Sequence, residues 1–192
     1  MTIYKRTKTY HDLSPQTKNT LGFTLIEFMV ALAILAILLA VALPSFSYWM
    51  AKNESDYVTD LLSRQMQGAR EHAINHNREV TLCGTNATGE CVKTAFTKLV
   101  IFIDENANKS VQDSETVITE TTLNAPRGSL TLKIGAVGDL AAIFKQDGSS
   151  STASSYVYCP KNASYTQLRK KITLSNTGRS YVQPADATDC AI

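Results

Sequence analysis

Glu27 is the residue whose position most strongly suggests chemistry, because it is a carboxylate inside an apolar run. The run opens at Gly22, and after Glu27 the chain carries no further charge until Lys52. A charged group at membrane depth is unfavourable, and such residues are normally kept only where they have a function. Glu27 is therefore a candidate functional residue.

Four cysteines could form disulfide bonds or hold a metal ion. Four cysteines allow three pairings, and proximity in the sequence favours Cys83 with Cys91 and Cys159 with Cys190. A zinc site made of four thiolates is the alternative, and the lack of C-x-x-C spacing disfavours it. All four cysteines follow the apolar run, and their even number fits an oxidising compartment.

An Asn- and Asp-rich string is a weak candidate for calcium binding. Asp104, Asn106, Asn108 and Glu115 stand at positions 1, 3, 5 and 12 of a string like an EF-hand loop, whose oxygen ligands suit Ca²⁺. Lys109 stands at the sixth position, where glycine normally makes the sharp turn. A solvated hairpin loop explains the same residues, and we expect no cofactor.

The segment 148–185 is basic and contains no acidic residue, although the chain beyond residue 22 has 15 basic and 16 acidic residues. Its cations are Lys161, Arg169, Lys170, Lys171 and Arg179. Its interleaved tyrosines are Tyr156, Tyr158, Tyr165 and Tyr181. Such a segment could hold DNA phosphates and stack bases. The alternative is a solvated strand edge whose charges prevent aggregation.

No catalytic site is predicted. His72 and His76 lie one helical turn apart, but the order is not H-E-x-x-H and no third metal ligand is evident. They are expected to be surface residues near the end of a helix. No serine lies in a G-x-S-x-G setting, and there is no phosphate-binding glycine loop. We therefore predict a protein that is not an enzyme.

Residues 23–43 can cross a membrane once. They are 21 residues, which as a helix span roughly 31 Å, close to the ~30 Å of a bilayer core. Residues 1–22 hold four basic residues and one acid, so the N-terminus is expected in the cytoplasm and residues 44–192 on the other side. A cleaved secretory signal, with its site at Ala40-Val41-Ala42, and a simple signal anchor are the alternatives.

Helical periodicity continues beyond the span, and strands follow it. The apolar stripe consists of Val58, Leu62, Met66, Ala69 and Ala73. One helix is predicted from Phe23 to about Asn75, with 44–75 as its periplasmic half, and a single head over 79–192. Short β-branched or aromatic runs predict strands at 80–82, 98–103, 116–121, 129–134, 140–144, 156–159 and 171–174. We predict an α+β fold in which the helix packs on an antiparallel sheet or small sandwich.

The beginning of the chain resembles the prepilin signal of type IV pilins and type II secretion pseudopilins. The resemblance rests on a basic leader that ends in Gly22, on Phe23-Thr24-Leu25-Ile26-Glu27, and on the apolar helix that follows. It implies cleavage between Gly22 and Phe23 by a prepilin peptidase, and N-methylation of Phe23. In the bacterial inner membrane, Glu27 would then neutralise the new amine of a neighbouring subunit.

The head resembles the GspH/FimT family of minor pilins and pseudopilins. The likeness rests on Ala69-Arg70-Glu71-His72-Ala73-Ile74, Val80-Thr81-Leu82-Cys83, Ile101-Phe102-Ile103-Asp104, Tyr158-Cys159 and Thr177-Gly178-Arg179. It implies a subunit that helps to initiate or cap a type IV pilus or pseudopilus, with other pilins as partners. Some FimT-like pilins bind DNA through a Gly-Arg-x-Arg motif, but here Tyr181 replaces the second arginine.

Overall fold

One long helix, α1, organises the fold. The computed structural model describes residues 22–94, 96–134 and 140–190, and α1 (Leu25–His76) is the α-helix among them. The leader residues 1–21 lie outside the described residues. The chain divides into two units, which adjoin in the sequence at Ala42 and Leu43.

The first unit contains the apolar beginning of α1. Its large apolar side chains are exposed, among them Leu25 at 77 % and Ile37 at 67 %. By length and composition, this helix is a candidate membrane span. Nothing within the unit covers this apolar surface among the described residues.

The second unit begins with the remainder of α1. The stripe predicted from the sequence is buried: Val58, Leu62, Met66, Ala69 and Ala73 are each 0 to 1 % exposed. The side chains recur at helical spacing and therefore lie on one face of α1. They form a single core cluster with apolar residues from two β-sheets.

The first sheet is antiparallel and has β1 at its centre. Its described strands are β1 (Val80–Thr85), β2 (Cys91–Val92), β3 (Lys98–Ile103), β4 (Thr116–Thr122) and β6 (Ala142–Phe144). One edge of β1 pairs with β3, which pairs with β4, while β2 and β6 share the other edge of β1. Side chains alternate between the two faces, so Leu82 lies in the main core and Cys83 in a second cluster behind the sheet.

The second sheet is also antiparallel, in the order β5, β7, β8 and β9. These described strands are β5 (Gly128–Ile134), β7 (Ser154–Pro160), β8 (Lys170–Leu174) and β9 (Ser180–Pro184). One short 3-10 turn, Thr166–Leu168, lies between β7 and β8, and a second, Thr188–Cys190, follows β9. The helix and both sheets contribute to one core, which confirms the predicted α+β fold.

Two of the described strands have no counterpart among the predicted ones. β2 is two residues long, too short for a periodic pattern. β9 is an edge strand that ends at Pro184, and it leaves Tyr181 and Val182 exposed. An exposed edge strand lacks the buried alternation that marks a strand in a sequence.

Candidate functional site

The N-terminal segment ends in a helix cap that the sequence reasoning missed. Gly22, Phe23 and Thr24 precede α1. The backbone N–H of Glu27 donates to Thr24 Oγ1 at 3.3 Å, and the N–H of Phe28 donates to the Thr24 carbonyl at 3.2 Å. Thr24 is therefore the N-cap residue of α1. The spacing Thr-x-x-Glu is that of a capping box, so the signal was present in the sequence.

The cap places the two ends of the predicted cleavage site outside the helix. Gly22 is exposed and Phe23 is 85 % exposed, and neither has helical backbone. Glu27 lies in the first helical turn and is also exposed. A carboxylate in this turn is stabilised by the positive end of the helix dipole.

Two disulfide bonds fasten loops of the head. Cys83 in β1 bonds to Cys91 in β2, with Cα atoms 5.6 Å apart. Cys159 in β7 bonds to Cys190 in the last 3-10 turn, with Cα atoms 5.8 Å apart. These are the two pairs that proximity in the sequence favours. The second bond holds the C-terminal turn against β7, an interior strand of the second sheet.

The calcium candidate forms a loop whose side-chain oxygens bind its own backbone. Asp104 accepts the N–H groups of Asn108 (3.1 Å) and Lys109 (2.9 Å), one on each carboxylate oxygen. Asn106 also accepts the Asn108 N–H, while Glu115 accepts the N–H of Gln112 at 3.1 Å. Lys109 has a φ of 58°, so the turn forms there without glycine. This geometry is that of the Asx-turn alternative.

Most of the predicted DNA-binding cations already have partners. Lys170 donates to Asp56 of α1, and Lys171 donates to Asp189 at 3.0 Å. Lys170 and Lys52 hold the pKa of the Asp56 carboxyl below its usual range, and Lys171 does the same for the pKa of Asp189. These acids lie outside the segment 148–185 in the sequence. In the folded head they nevertheless neutralise part of the positive charge of this segment.

The remaining cations do not form one cluster. Lys161 donates its Nζ to the Pro126 carbonyl at 2.8 Å. Arg169 precedes Lys170, the first residue of β8, which pairs with Pro184. Arg179 lies near the opposite end of β8, after the turn that joins β8 to β9. The four steps along β8 separate the two ends by roughly 13 Å.

The prediction that four tyrosines are available for stacking is wrong for two of them. Tyr156 and Tyr158 are fully buried because β7 lies inside the second sheet and faces the core. Tyr165 is half-buried, and its ring makes an edge contact with Tyr48 at 5.3 Å between centroids. Tyr181 is 51 % exposed and remains accessible.

Tyr158 links the core to the surface through Glu54 of α1. Its hydroxyl donates to Glu54 Oε1 at 2.9 Å, and both oxygens of Glu54 accept the backbone N–H of Arg127 at 3.0 Å. Burial raises the pKa of the Tyr158 phenol, and the nearby Glu54 carboxylate raises it further. This contact fixes the turn before β5 to α1.

Gly178, part of the Gly-Arg resemblance to DNA-binding pilins, has a structural reason to be glycine. Its φ is 73°, and a Cβ there would overlap the Gly148 carbonyl oxygen. Gly148 itself has a φ of 77°, and its carbonyl accepts Arg70 Nε at 2.9 Å. The two glycines therefore let two turns approach the end of α1 closely.

His72 and His76 stack on each other near the end of α1. Their ring centroids are 5.6 Å apart and the rings are nearly parallel, with an interplanar angle of 9°. His76 is exposed and His72 is half-buried. Among residues 22–94, 96–134 and 140–190, no group of three or more His, Cys, Asp or Glu side chains is arranged to hold a metal ion.

Comparison with known proteins decides the family. Residues 58–178, which include the buried half of α1 and most of the head, match the family model described as type II transport protein GspH. The chain belongs to the GspH family. Residues 17–43 match a second model, the prokaryotic N-terminal methylation motif. The family consists of structural filament proteins rather than enzymes.

Curated relatives of the GspH-family chain are type IV pilins. It is 32 % identical over 108 residues to the type IV major pilin protein PilE of Neisseria gonorrhoeae, a match that covers 49 % of this chain and 64 % of that protein. It is 42 % identical over 60 residues to a fimbrial protein of Neisseria meningitidis, over 30 % of this chain and 35 % of the relative. The chain thus spans less than two thirds of the length of these relatives.

The fold is shared with a solved structure. The type IV minor pilin FimU of Pseudomonas aeruginosa superposes with a TM-score of 0.50 at 16 % identity, over 71 % of this chain and 92 % of FimU. The minor pseudopilin EpsH of Vibrio cholerae gives a TM-score of 0.48 at 14 % identity, over 68 % of this chain and 97 % of EpsH. The FimU likeness agrees with a long helix packed on antiparallel sheets.

Proposed function

We propose that this GspH-family chain is a minor subunit of a type IV pilus or of a type II secretion pseudopilus. In this proposal it stands in the bacterial inner membrane with its head in the periplasm, and then enters the filament through α1, where it helps to initiate or cap assembly. The observation that carries the proposal is the exposed apolar start of α1 with Glu27 as its lone charge. Such a surface needs either lipid or the helices of other subunits around it.

The geometry of the N-terminus supports processing between Gly22 and Phe23. Both residues are exposed and precede the helix, which Thr24 caps. A peptidase would therefore not have to unwind α1 to reach the bond. Cleavage there would leave residues 23–43 as the membrane span, 44–75 as the rest of the stalk and 79–192 as the head.

Cleavage also gives Glu27 a partner. The new amine on Phe23 is a cation at membrane depth, and Glu27 of a neighbouring subunit is an anion at a similar depth. Two unpaired charges in a membrane are each unfavourable, and their pairing removes much of this desolvation penalty. Assembly would therefore be favoured by the pairing of a terminal amine with a carboxylate in another subunit.

Charge removal at Glu27 tests this role. Cells that produce Glu27→Gln or Glu27→Ala should still cleave the leader, but the variant should be lost from the sheared filament fraction. Asp60→Asn is a matched control, because Asp60 is an exposed acid on the same helix beyond the span. Normal incorporation of both Glu27 variants would show that this carboxylate has no part in assembly.

The phenotype of a deletion strain would distinguish a pilus subunit from a subunit of the secretion apparatus. A deletion that removes pili and twitching places the subunit in a type IV pilus, whereas lost release of exported proteins places it in a pseudopilus. The type IV pilin relatives and the GspH family model point in different directions here.

DNA capture by the same head stays a prediction, and the ion pairs reduce the charge available for it. Arg179 and Tyr181 are exposed, whereas Lys170 and Lys171 are paired with acids. Any DNA affinity should fall with salt and should be lost when Lys161, Arg169, Lys170, Lys171 and Arg179 are all replaced by alanine. Gel retardation of the full chain in detergent measures it, and retardation that is unchanged by the replacements would exclude this basic region as the DNA site.

A further inference from the structure

A cationic cavity lies beside α1 in the second unit, next to the point where the predicted membrane span ends. Its volume is about 200 Å³. The lining residues come from α1, from the turn before β5 and from the loop after β7: Ser47, Ala51, Arg127, Lys161, Asn162 and Tyr165. Drug-sized pockets are larger, roughly 300–1,000 Å³, so this cavity suits a small polar group rather than an acyl chain.

The backbone holds the two cations of the cavity at one rim. The N–H of Lys161 donates to the Arg127 carbonyl at 2.8 Å, and Lys161 Nζ donates to the Pro126 carbonyl at 2.8 Å. The backbone N–H of Arg127 is in turn held by Glu54. Within the part of the chain that the structure describes, no hydrogen bond or ion pair engages the Arg127 guanidinium. It is therefore available to an anion.

Glu54 is an acid near this rim, and both of its carboxylate oxygens already accept hydrogen bonds. It accepts the Tyr158 hydroxyl and the Arg127 backbone N–H. Glu54 thus positions the turn that carries Arg127. The cavity retains a donor set of a guanidinium, an ammonium, an amide and a phenol, which is the set that recognises a phosphate oxygen.

The cavity lies at the expected height of lipid headgroups. Ser47 follows Leu43 by four residues, which is about 6 Å along the helix. Phe46 and Trp49 are exposed by 58 % and 55 % and stack with ring centroids 5.9 Å apart. Aromatic side chains of this kind concentrate at the boundary between membrane and water.

We propose that this cavity binds the anionic phosphodiester of a phospholipid headgroup while the subunit stands in the membrane. This inference rests on the membrane anchoring in the proposed function. Headgroup binding would hold the head against the membrane surface and set the depth of α1 before assembly. Extraction into a filament would then have to break the contact.

Trp49 is the one tryptophan of the chain and lies in the helical turn between Ser47 and Ala51. Its exposed ring therefore reports on the lipid around this turn of α1. The full chain is reconstituted into two series of phosphatidylcholine vesicles, which contain increasing mole fractions of either brominated phosphatidylglycerol or brominated phosphatidylcholine. Both brominated lipids quench tryptophan. Each basic residue near an anionic surface enriches anionic lipid roughly fivefold. Brominated phosphatidylglycerol should therefore quench Trp49 at a several-fold lower mole fraction.

The variant pair Arg127→Gln with Lys161→Gln should remove this preference. Its matched control is Lys145→Gln with Arg179→Gln, which removes two exposed cations near Gly148. Gly148 contacts Arg70, 23 residues along α1 from Ser47 and thus about 34 Å away. The control should keep the preference, and near-ultraviolet circular dichroism checks that both variants are folded.

Each other outcome overturns the proposal in a distinct way. Equal quenching by the two lipids, or a preference that survives in Arg127→Gln with Lys161→Gln, rejects the cavity while membrane anchoring stands. Loss of the preference on adding inorganic phosphate, but not sodium chloride of equal ionic strength, identifies free phosphate as the occupant. Quenching by neither lipid places Trp49 away from the membrane and counts against the anchoring itself.

Discussion

Replacing Gly178 by alanine should unfold the head at much lower denaturant concentration. The φ of 73° is left-handed, and alanine there costs roughly 1–2 kcal/mol. The new Cβ would overlap the Gly148 carbonyl oxygen and lie 3.2 Å from Arg70 Nε, so the hydrogen bond between Arg70 and Gly148 must break. A hydrogen bond to a charged group contributes about 1.5–3 kcal/mol. The expected loss is therefore about 2.5–5 kcal/mol.

Urea denaturation of the full chain in detergent measures this loss, followed by the near-ultraviolet circular dichroism of the buried Tyr156 and Tyr158. With a slope of about 2 kcal/mol per molar urea, the midpoint should fall by roughly 1.2–2.5 M. Gly68→Ala is the matched control, because its Cβ would meet nothing within 4 Å and α1 is helical there. It should stabilise the protein by about 0.5–1 kcal/mol.

Arg179→Ala completes the comparison. Arg179 is exposed, so its replacement should change stability by less than about 0.5 kcal/mol. The two halves of the Gly-Arg motif would then have different roles, with Gly178 serving the fold. A Gly178→Ala protein that unfolds at the same urea concentration as the native chain would refute the close-approach argument.

Three further predictions follow from the head. The pKa values of Asp56 and Asp189 are lowered in the folded state. Their contribution to the free energy of unfolding is therefore fully present above the unfolded-state pKa, which is near 3.9, and is lost as the pH falls through the folded-state pKa values. Replacing both Asp56 and Asp189 by asparagine should therefore flatten the acid limb of a plot of unfolding free energy against pH, by about 1 kcal/mol or less for each partly exposed pair. Asp60→Asn should not change this limb. Replacing Cys159 and Cys190 by alanine should cost about 3.7 kcal/mol, against about 2.5 for Cys83 and Cys91, because the closed loops span 31 and 8 positions; equal urea midpoints for the two double variants would contradict the loop argument. Calorimetric titration with millimolar calcium should give no binding heat, because Asp104 already accepts two backbone N–H groups, and a saturating heat would establish the site at Asp104, Asn106, Asn108 and Glu115.

The sequence predicts the parts of the fold that have a strong periodic signal. The stripe from Val58 to Ala73 marks the buried face of α1, and β-branched runs mark the strands that line the core. β9 was missed because its exposed residues carry no alternation. The Thr24 cap was missed although its Thr-x-x-Glu spacing was visible.

Long-range electrostatics lies beyond such sequence patterns. Lys170 pairs with Asp56, which is 114 positions away, and nothing local in the sequence joins them. The uniform sign of the segment 148–185 therefore overstated the charge that the surface presents. Tyr156 and Tyr158 were misread for a related reason, since only the sheet order shows that β7 is interior.

Mass spectrometry of the N-terminus of the mature protein tests the central proposal most directly. A filament subunit processed at Gly22 should begin at Phe23 with a methylated amine. A mature chain that begins at Leu43, after Ala40-Val41-Ala42, would contradict the proposal, because it would make the protein an ordinary exported one without its apolar helix.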